Sequence, residues 1–416
     1  MKRLFLFFIS AFSFFINCQA QKYVGGDISL LTKYEANGSK YFDYYGNAIT
    51  SPLTFFKAEG MNAMRVRLFV DPSQASSGDK GQGVCQDLAY VKALGKRIKD
   101  AGLAFMLDLH YSDSWADPAK QWTPASWVGL SDEQLYTKIY DYTKDVLTQL
   151  NAAGATPDFI QTGNEISYGM LWGSQGSSAN RCYSGNNANW GRFTTLLRNA
   201  GKACREVCPA AKIVIHTERV ANTGVMLNFY NQMASANIDY DIIGLSYYSY
   251  FHGKLNVLEN ALKVLETNFP GKKIMIVEAG YPLKWAVPGT TIDYTSDYPY
   301  TDAGQKKFTD DLIALLNRHP QVNGLFWWWM EANEYGRTGA SQVTNSWYNA
   351  PLFNNETGRA TSALSEMKKF ISEDTAVETI EREETSDSRW FTIDGRQVTH
   401  PTKGIYIHGR KKYMKQ

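Results

Sequence analysis

The chain has 416 residues, of which 43 are basic and 41 acidic, and its formal net charge is +2. This balance excludes the strongly basic surface with which proteins bind nucleic acids, so we expect no nucleic-acid partner. The aromatic fraction is 14%, with 11 tryptophans and 25 tyrosines. Aromatic rings stack on the C–H faces of sugars, but they also fill large cores. Composition alone leaves both uses open.

The first twenty residues have the pattern of a secretory signal peptide. Two basic residues precede the apolar stretch 4–16, and Ala20 offers a small residue at a cleavage site. The stretch is too short for a transmembrane segment, so we expect the protein to be secreted, periplasmic or on the cell surface. Cys18 leaves a lipid anchor as the alternative, although Asn17 is a poor fit to the small residue normally found before such a cysteine.

Eight short apolar stretches alternate with longer amphipathic ones. The predicted strands are 23–28, 63–69, 104–110, 159–165, 212–217, 242–248, 273–278 and 322–329, and the main predicted helices are 89–101, 132–152, 190–207, 224–236, 255–269 and 304–318. A strand–helix unit repeated eight times predicts an α/β fold, the (β/α)8 TIM barrel. The alternative is a doubly wound open sheet, but no glycine-rich phosphate loop follows an early strand.

The composition changes near residue 372. We predict four segments: a signal peptide at 1–20, a catalytic domain at 21–372, a linker at 373–388 and a small β-type tail at 389–416. The linker is acidic and poor in apolar residues, and the tail alternates short strand-like stretches with turns. The tail resembles sorting or anchoring modules of secreted proteins. Four cysteines after the signal, Cys85, Cys182, Cys204 and Cys208, would permit disulfides of undetermined connectivity.

Polar residues cluster at the carboxyl ends of the predicted strands, where barrel enzymes carry their active sites. Glu165 ends strand four and Glu278 ends strand seven. Glycosidic bonds are cut by two carboxyl groups, and strands four and seven face each other across a barrel mouth. A separation of about 5–5.5 Å would give retention of configuration, and a wider one inversion.

The neighbours of the two glutamates indicate different roles. Glu278 suits an ionised nucleophile if hydroxyl or guanidinium donors stabilise its charge, and we predict Tyr248 and Arg67 as those donors. Glu165 would be the protonated acid, and its pKa should fall once Glu278 is glycosylated. Asn164 beside it would hold the sugar 2-hydroxyl.

Six sequence blocks occur in the same order as in a known family: DISLL, GMNAMRVRLFVDP, DLHYSDSWADPAKQWTP, TGNEISYGMLW, IIGLSYYSYFHG and IMIVEAGYP. Together they resemble glycoside hydrolase family 53, the endo-β-1,4-galactanases. The resemblance implies a TIM barrel and retaining hydrolysis of β-1,4-galactan, the side chain of type I arabinogalactan and pectin. It also implies that Glu165 is the acid/base and Glu278 the nucleophile.

The loop after strand three carries further candidates. We expect His110 to orient other groups from behind the site. Asp113 and Asp117 would either accept hydrogen bonds from sugar hydroxyls or only shape the loop. Trp115, Trp122 and Trp328 are candidates for stacking on sugars, or else they wall the barrel. Strand alternation would turn Trp328 away from both of its tryptophan neighbours.

Some members of that family bind calcium through a loop after strand seven. Here that loop has Asp293, Asp297 and Asp302 but no compact run of alternating oxygen ligands, so we predict no metal and no cofactor, with calcium as the alternative. The expected partner is a polysaccharide, and the expected state is a monomer. Two alternatives stay open: another retaining β-glycanase of the same barrel type, such as a mannanase or cellulase, and a carbohydrate-binding surface protein without activity.

Overall fold

The computed structural model describes residues 21–183, 189–345, 349–371, 390–392, 396–400, 402, 404–408 and 411–415. The signal-peptide and linker predictions lie outside these residues, and export stays a prediction. Within the described residues, the chain has no helix with the length and apolar character of a membrane span. The chain divides into two compact units between Ile371 and Ser372.

The larger unit is a closed barrel of eight parallel strands, as the sequence predicted. The strands are β1 (Tyr23–Asp27), β2 (Ala63–Leu68), β3 (Ala104–Leu109), β4 (Phe159–Thr162), β5 (Lys212–Thr217), β6 (Ile242–Tyr247), β7 (Lys273–Ala279) and β8 (Val322–Trp327). Each strand pairs with the next, and β1 closes the barrel by pairing with β8. A short antiparallel hairpin, Tyr41–Phe42 with Ala48–Ile49, lies outside the barrel sheet.

The α-helices are α1 (Leu31–Ala36), α2 (Pro52–Ala58), α3 (Ser77–Gly81), α4 (Leu88–Asp100), α5 (Asp132–Ala152), α6 (Trp190–Val207), α7 (Thr223–Ser235), α8 (Ser249–His252), α9 (Leu255–Asn268), α10 (Asp302–Asn317) and α11 (Ser362–Glu366). Their starts follow local chemistry. Ser131 and Gln134 form a reciprocal capping box at the start of α5, and Asp87 accepts the Tyr90 N–H at the start of α4. The six long helices agree with the predicted ones to within two residues.

The barrel interior has two layers of different character. The lower layer is apolar, and its members are Ala63, Met106, Phe159, Val214, Ile242, Met275 and Phe326. Two to four residues further along the same strands, the inward positions become polar, with Arg65, Asp108, Gln161, His216, Ser246 and Glu278, all buried. Side chains on alternate positions of a strand share one face, so β2 to β5 supply both layers from positions two residues apart, and β6 and β7 supply both layers at wider spacings.

The close approach of β1 to β2 requires glycine. A Cβ atom on Gly25 would lie 1.7 Å from the Ala63 carbonyl oxygen, which no side chain tolerates.

The cysteines Cys85, Cys182, Cys204 and Cys208 are all free thiols, so the disulfides that the sequence permitted are not formed in this structure.

The smaller unit contains short β-strands, in agreement with the predicted β-rich tail. Four of them form an antiparallel sheet in the order Gln397–Val398, Trp390–Thr392, Gly404–His408 and Lys411–Lys415. The last of these strands was not predicted; its sequence is strongly basic.

Candidate active site

The carboxyl groups of Glu165 and Glu278 meet at the mouth of the barrel. The Ser246 hydroxyl donates to Glu165 Oε1 at 2.7 Å and lies 3.4 Å from Glu278 Oε2. Because both oxygens lie on one hydroxyl, they are at most about 6 Å apart, close to the separation of about 5–5.5 Å found in retaining enzymes. The strands β4 and β7 therefore bring the two predicted residues into one site.

Glu278 is held by donors of two kinds. The Tyr248 hydroxyl donates to Glu278 Oε2 at 2.8 Å, at the position predicted for it. Arg65 Nη2 lies 3.0 Å from Glu278 Oε1, and both side chains are at most 5% exposed. The predicted cation, Arg67, was the wrong arginine of β2: its Nη1 pairs with Asp27 at 3.0 Å.

Arg67 instead supports a group of three tryptophans. Its guanidinium lies 4.6 Å from the centre of the Trp115 ring, 5.3 Å from Trp328 and 5.8 Å from Trp329. The Arg67 side chain is fully buried, so it contacts these rings on the side away from the cavity. We call Trp115, Trp328 and Trp329 the tryptophan wall.

The alternation predicted for Trp328 and Trp329 is wrong. Strand β8 ends at Trp327, whose Nε1 donates to the Ala350 carbonyl, and Trp329 has a left-handed φ of 51°. This backbone turn brings the Trp328 and Trp329 rings together, with their centroids 5.6 Å apart and their planes 14° from parallel. Both rings therefore face the same cavity.

Glu165 sits on an unusual backbone. Its φ is 49° and that of Gly163 is 105°, so the chain turns sharply as β4 ends. Left-handed φ values in residues other than glycine often mark functional sites. The turn lets the Glu165 N–H donate to His216 Nδ1 at 3.4 Å, and His216 Nε2 lies 2.8 Å from the Ser246 hydroxyl. Because Nδ1 accepts, Nε2 carries the hydrogen of a neutral ring and donates to Ser246.

Asn164 lies between Arg65 and the loop after β3. Its Oδ1 accepts from Arg65 Nη2 at 2.9 Å, and its Nδ2 donates to the Ala116 carbonyl at 2.8 Å. An amide nitrogen has two hydrogens, and the second has no partner among the described residues, so it is available to a ligand. The side chain is only 5% exposed, yet it lines the cavity.

Burial and neighbouring charge separate the two glutamates. Burial and the charge of Glu278 raise the pKa of Glu165 well above its ordinary value, and the Ser246 hydrogen bond opposes the rise only in part. Burial also raises the pKa of Glu278, to about 7, but Arg65 and the Tyr248 hydroxyl act against it. The first proton taken up by the pair therefore goes to Glu165.

The remaining candidates from the loop after β3 differ in position. His110 is buried, accepts the Ala116 N–H at Nδ1 and places Nε2 3.0 Å from Asp108, so it lies between β3 and the loop that follows. Asp113 uses both oxygens on backbone N–H groups of Asp71 and Ala125. Of the two predictions for Asp113, the structure supports loop shaping.

The loop after β3 also contains the predicted site residues Asp117 and Trp122. Asp117 accepts the N–H groups of Ala119 and Lys120 through Oδ1 and lines the cavity. Trp122 is half-buried, with the Lys120 ammonium 6.0 Å from its ring centre, and it does not line the cavity.

The cavity has a volume of about 590 Å³ and spans the mouth of the barrel. Seven predicted site residues line it: Asn164, Glu165, Glu278, Tyr248, Trp115, Asp117 and Trp328. Among the other residues that line it are Glu218, Arg219, His252 and Trp329, to which the sequence assigned no role. The only sequence signal for Glu218 is its place directly after β5.

The acidic residues of the loop after β7 do not fit a calcium site. Asp293 accepts the Thr295 N–H, Asp297 pairs with Lys254 at 2.8 Å, and Asp302 accepts the Ser362 N–H. In the part of the chain that the structure describes, no group of three or more His, Cys, Asp or Glu side chains is arranged to hold a metal ion.

Comparison with known proteins agrees with this geometry. Residues 23–367 match the sequence profile described as Glycosyl hydrolase family 53. An uncharacterised protein of Niallia circulans is 33% identical over 85% of this chain and 95% of its own length. A probable arabinogalactan endo-β-1,4-galactanase A of Neosartorya fischeri is 31% identical over 78% of this chain and 89% of its own.

Among solved structures, the glycoside hydrolase family 53 catalytic domain of Ignisphaera aggregans superposes with a TM-score of 0.73 at 30% identity. It covers 83% of this chain and 95% of its own length. The match of the family profile spans the whole barrel, and the paired carboxyl groups lie where a glycoside hydrolase needs them. This chain belongs to glycosyl hydrolase family 53 and is a glycoside hydrolase.

Proposed function

We propose that the protein is a retaining endo-β-1,4-galactanase that cleaves galactan and type I arabinogalactan. The observation that carries the mechanism is the Ser246 hydroxyl shared by Glu165 and Glu278. It supports a spacing too short to seat a water between the two carboxyl groups, as inversion requires. The substrate rests on relatives such as that of Neosartorya fischeri, whose name states galactanase activity.

In the first step, Glu165 protonates the glycosidic oxygen while a carboxylate oxygen of Glu278 attacks the anomeric carbon. The bond from that carbon to the leaving oxygen breaks, and a bond to Glu278 forms. Because Ser246 donates to Glu165 Oε1, the acidic proton belongs on Oε2. Arg65 and Tyr248 hold Glu278 as the anion until attack.

In the second step, Glu165 takes a proton from water, the water oxygen attacks the anomeric carbon, and Glu278 leaves as carboxylate. The covalent bond removes the charge of Glu278, which is the largest electrostatic cause of the raised pKa of Glu165. The pKa of Glu165 therefore falls at the moment when it must act as a base.

The remaining contacts suit a sugar. The free Asn164 N–H can hold the 2-hydroxyl, a contact that strengthens as positive charge develops on the ring. The tryptophan wall offers Trp328 as a platform for the C–H face of a sugar bound at Glu278, because Trp328 also lies 5.8 Å from the Arg65 guanidinium.

The decisive experiment compares reducing-sugar release from β-1,4-galactan, carboxymethylcellulose and mannan. We expect turnover of galactan and little of the other two. Clear activity on mannan or cellulose with none on galactan would replace this proposal with another β-glycanase. Binding of galactan without turnover would support the non-catalytic alternative.

The stereochemistry is a separate measurement. Proton NMR of the first products of galactan hydrolysis should show the β-anomer, which mutarotates later. The α-anomer as the first product would refute double displacement even if galactan is the substrate.

A further inference from the structure

The cavity is lined by a cluster of polar side chains that the proposed mechanism does not use. Glu218 and Arg219 follow β5, and His252 ends α8; all three line the cavity. We call these three residues the polar wall. Glu218 and Arg219 lie on the side of Glu165, because both contact Ser167. Ser167, two residues after Glu165, donates to Glu218 Oε1 at 2.6 Å.

Glu218 has one occupied oxygen and one free oxygen. Besides the Ser167 hydrogen bond, Oε1 is 2.7 Å from Arg219 Nε. The side chain is only 6% exposed, and Oε2 has no hydrogen-bond partner among the described residues. An acceptor buried without a partner is costly, and the residue borders the cavity. A ligand donor is therefore the natural partner of Oε2.

Arg219 fixes the direction of Glu218. Its guanidinium lies 4.2 Å from the centre of the Tyr168 ring, and Arg181 lies 4.1 Å from the same ring. Its Nε also reaches the Ser167 hydroxyl at 3.3 Å. With stacking and two polar contacts, Arg219 holds Glu218 in one position before any ligand arrives.

His252 supplies a donor to the same cavity. Its Nδ1 accepts the Tyr248 N–H at 3.1 Å, so the hydrogen of the neutral ring is on Nε2. Burial, followed by the charge of Arg219, lowers the pKa of His252 to about 4. The ring is therefore neutral over the working range of most hydrolases.

From this arrangement we propose that Glu218 and His252 bind the hydroxyl groups of the leaving sugar, the first residue beyond the cleaved bond. The inference rests on the proposed galactanase function. In that reaction the oxygen protonated by Glu165 stays with the leaving sugar, whereas the other sugar binds at Glu278 and Tyr248. Glu218 and Arg219 adjoin Glu165 through Ser167, and His252 lines the same cavity, so the polar wall is placed to meet the leaving sugar. A carboxylate acceptor and an imidazole donor suit vicinal hydroxyls.

The test uses the Glu218→Gln variant of the full chain and two substrates. The first is β-1,4-galactan, whose leaving group is a sugar. The second is an aryl β-1,4-galactobioside, whose leaving phenol has no sugar hydroxyls. The measured quantity is the ratio of kcat/KM on galactan to kcat/KM on the aryl substrate, each at the pH optimum of the variant. We expect Glu218→Gln to lower this ratio about ten-fold or more, since hydrogen bonds to charged groups are the strong ones.

Two further variants complete the design. His252→Phe removes the Nε2 donor and should lower the same ratio. Glu356→Gln is the matched control, because Glu356 is 65% exposed, pairs with Lys284 and does not line the cavity; it should leave the ratio unchanged. Thermal unfolding of each variant checks that it is folded.

The outcomes separate the two proposals. A Glu218→Gln ratio equal to that of the wild type, with or without an equal loss on both substrates, overturns the leaving-sugar assignment while galactan cleavage stands. Failure of the wild type to release sugar from galactan, with turnover of another polymer, overturns the proposed function itself. A selective loss on galactan in Glu218→Gln and His252→Phe supports the assignment.

Discussion

The lower and upper layers of the barrel interior lie on the same strands but do different work. Phe159 and Gln161 are two residues apart on β4, and both are buried. Phe159 belongs to the apolar layer and packs edge-on against Tyr23 at 4.7 Å, whereas Gln161 donates to Asp108 at 2.5 Å. The apolar layer gains stability from burial. The polar layer costs desolvation and is retained for its chemistry.

In the upper layer, a continuous network of ion pairs offsets the cost of desolvation. Arg65 contacts the carboxyl groups of Asp27, Asp108 and Glu278 within 3.0 Å. The surrounding carboxylates raise the pKa of Arg65 above that of a free guanidinium, against the effect of burial, so the charge is permanent. A buried cation beside Glu278 favours the anion at Glu278 rather than at Glu165. Changes in the upper layer should therefore lower the rate, and changes in the lower layer should lower the free energy of unfolding.

The largest effect is expected for Glu278→Ala. Loss of the nucleophile should lower kcat on galactan by roughly 10⁴-fold, as with other covalent catalysts. Added azide can fill the vacated space and attack an activated galactoside, and the product should then be the α-galactosyl azide. NMR of that product checks the configuration. A β-azide would show instead that Glu278 is the acid/base.

The lower layer gives the next largest effect, on stability. Phe159→Ala should lower the free energy of unfolding by about 3–5 kcal/mol, because it removes buried surface and leaves a cavity. Phe159→Leu, which fills more of that space, is the matched control and should cost less. Urea denaturation measures both. A folded Phe159→Ala protein with a kcat far below that of the wild type would contradict the separation of the two layers.

A smaller effect is expected for Tyr248→Phe. It removes the 2.8 Å hydrogen bond to Glu278 Oε2, and hydrogen bonds to charged groups contribute about 1.5–3 kcal/mol, so kcat/KM should fall roughly 10- to 100-fold. That hydrogen bond lowers the pKa of Glu278. Its loss raises this pKa, and the acidic limb of the pH profile should move to higher pH.

Tyr247→Phe is the control for Tyr248→Phe. Tyr247 is the adjacent buried tyrosine, and its hydroxyl donates to the Gly253 carbonyl rather than to a glutamate. We expect some loss of stability and no movement of the acidic limb. Equal pH profiles for the two variants would disprove the role assigned to the Tyr248 hydroxyl.

The sequence predicted the structure correctly where the hydrophobic period or the end of a strand determines where a residue lies. Alternating apolar stretches predicted all eight strands, and the rule that barrel sites lie at carboxyl strand ends predicted that Glu165 and Glu278 would meet. Those inferences need only strand order and direction. They do not depend on the detailed packing of side chains.

The predictions failed where contacts between segments distant in the sequence determine how side chains are arranged. Arg65 and Arg67 both point inward from β2 and both pair with Asp27, but it is Arg65 that also reaches Glu278, which strand alternation does not reveal. The left-handed turn at Trp329 breaks strand alternation, and the sequence has no glycine at this position that would have predicted such a turn. Glu218 acquires its direction from Ser167 and Arg219, a contact between two loops that residue spacing does not reveal.

The smallest effect tests the electrostatics of the upper layer through pH alone. Among the charges that raise the pKa of Glu165, Glu218 follows Glu278, and Asp117 contributes less. Burial raises the pKa of Glu218 to about 7, so its charge is present on the basic side of the profile. Glu218→Gln removes that charge and lowers the pKa of Glu165. Because activity needs protonated Glu165, the basic limb should move to lower pH, and Asp117→Asn should move it less in the same direction. A basic limb that stays in place in both variants would mean that burial and Glu278 alone keep Glu165 protonated.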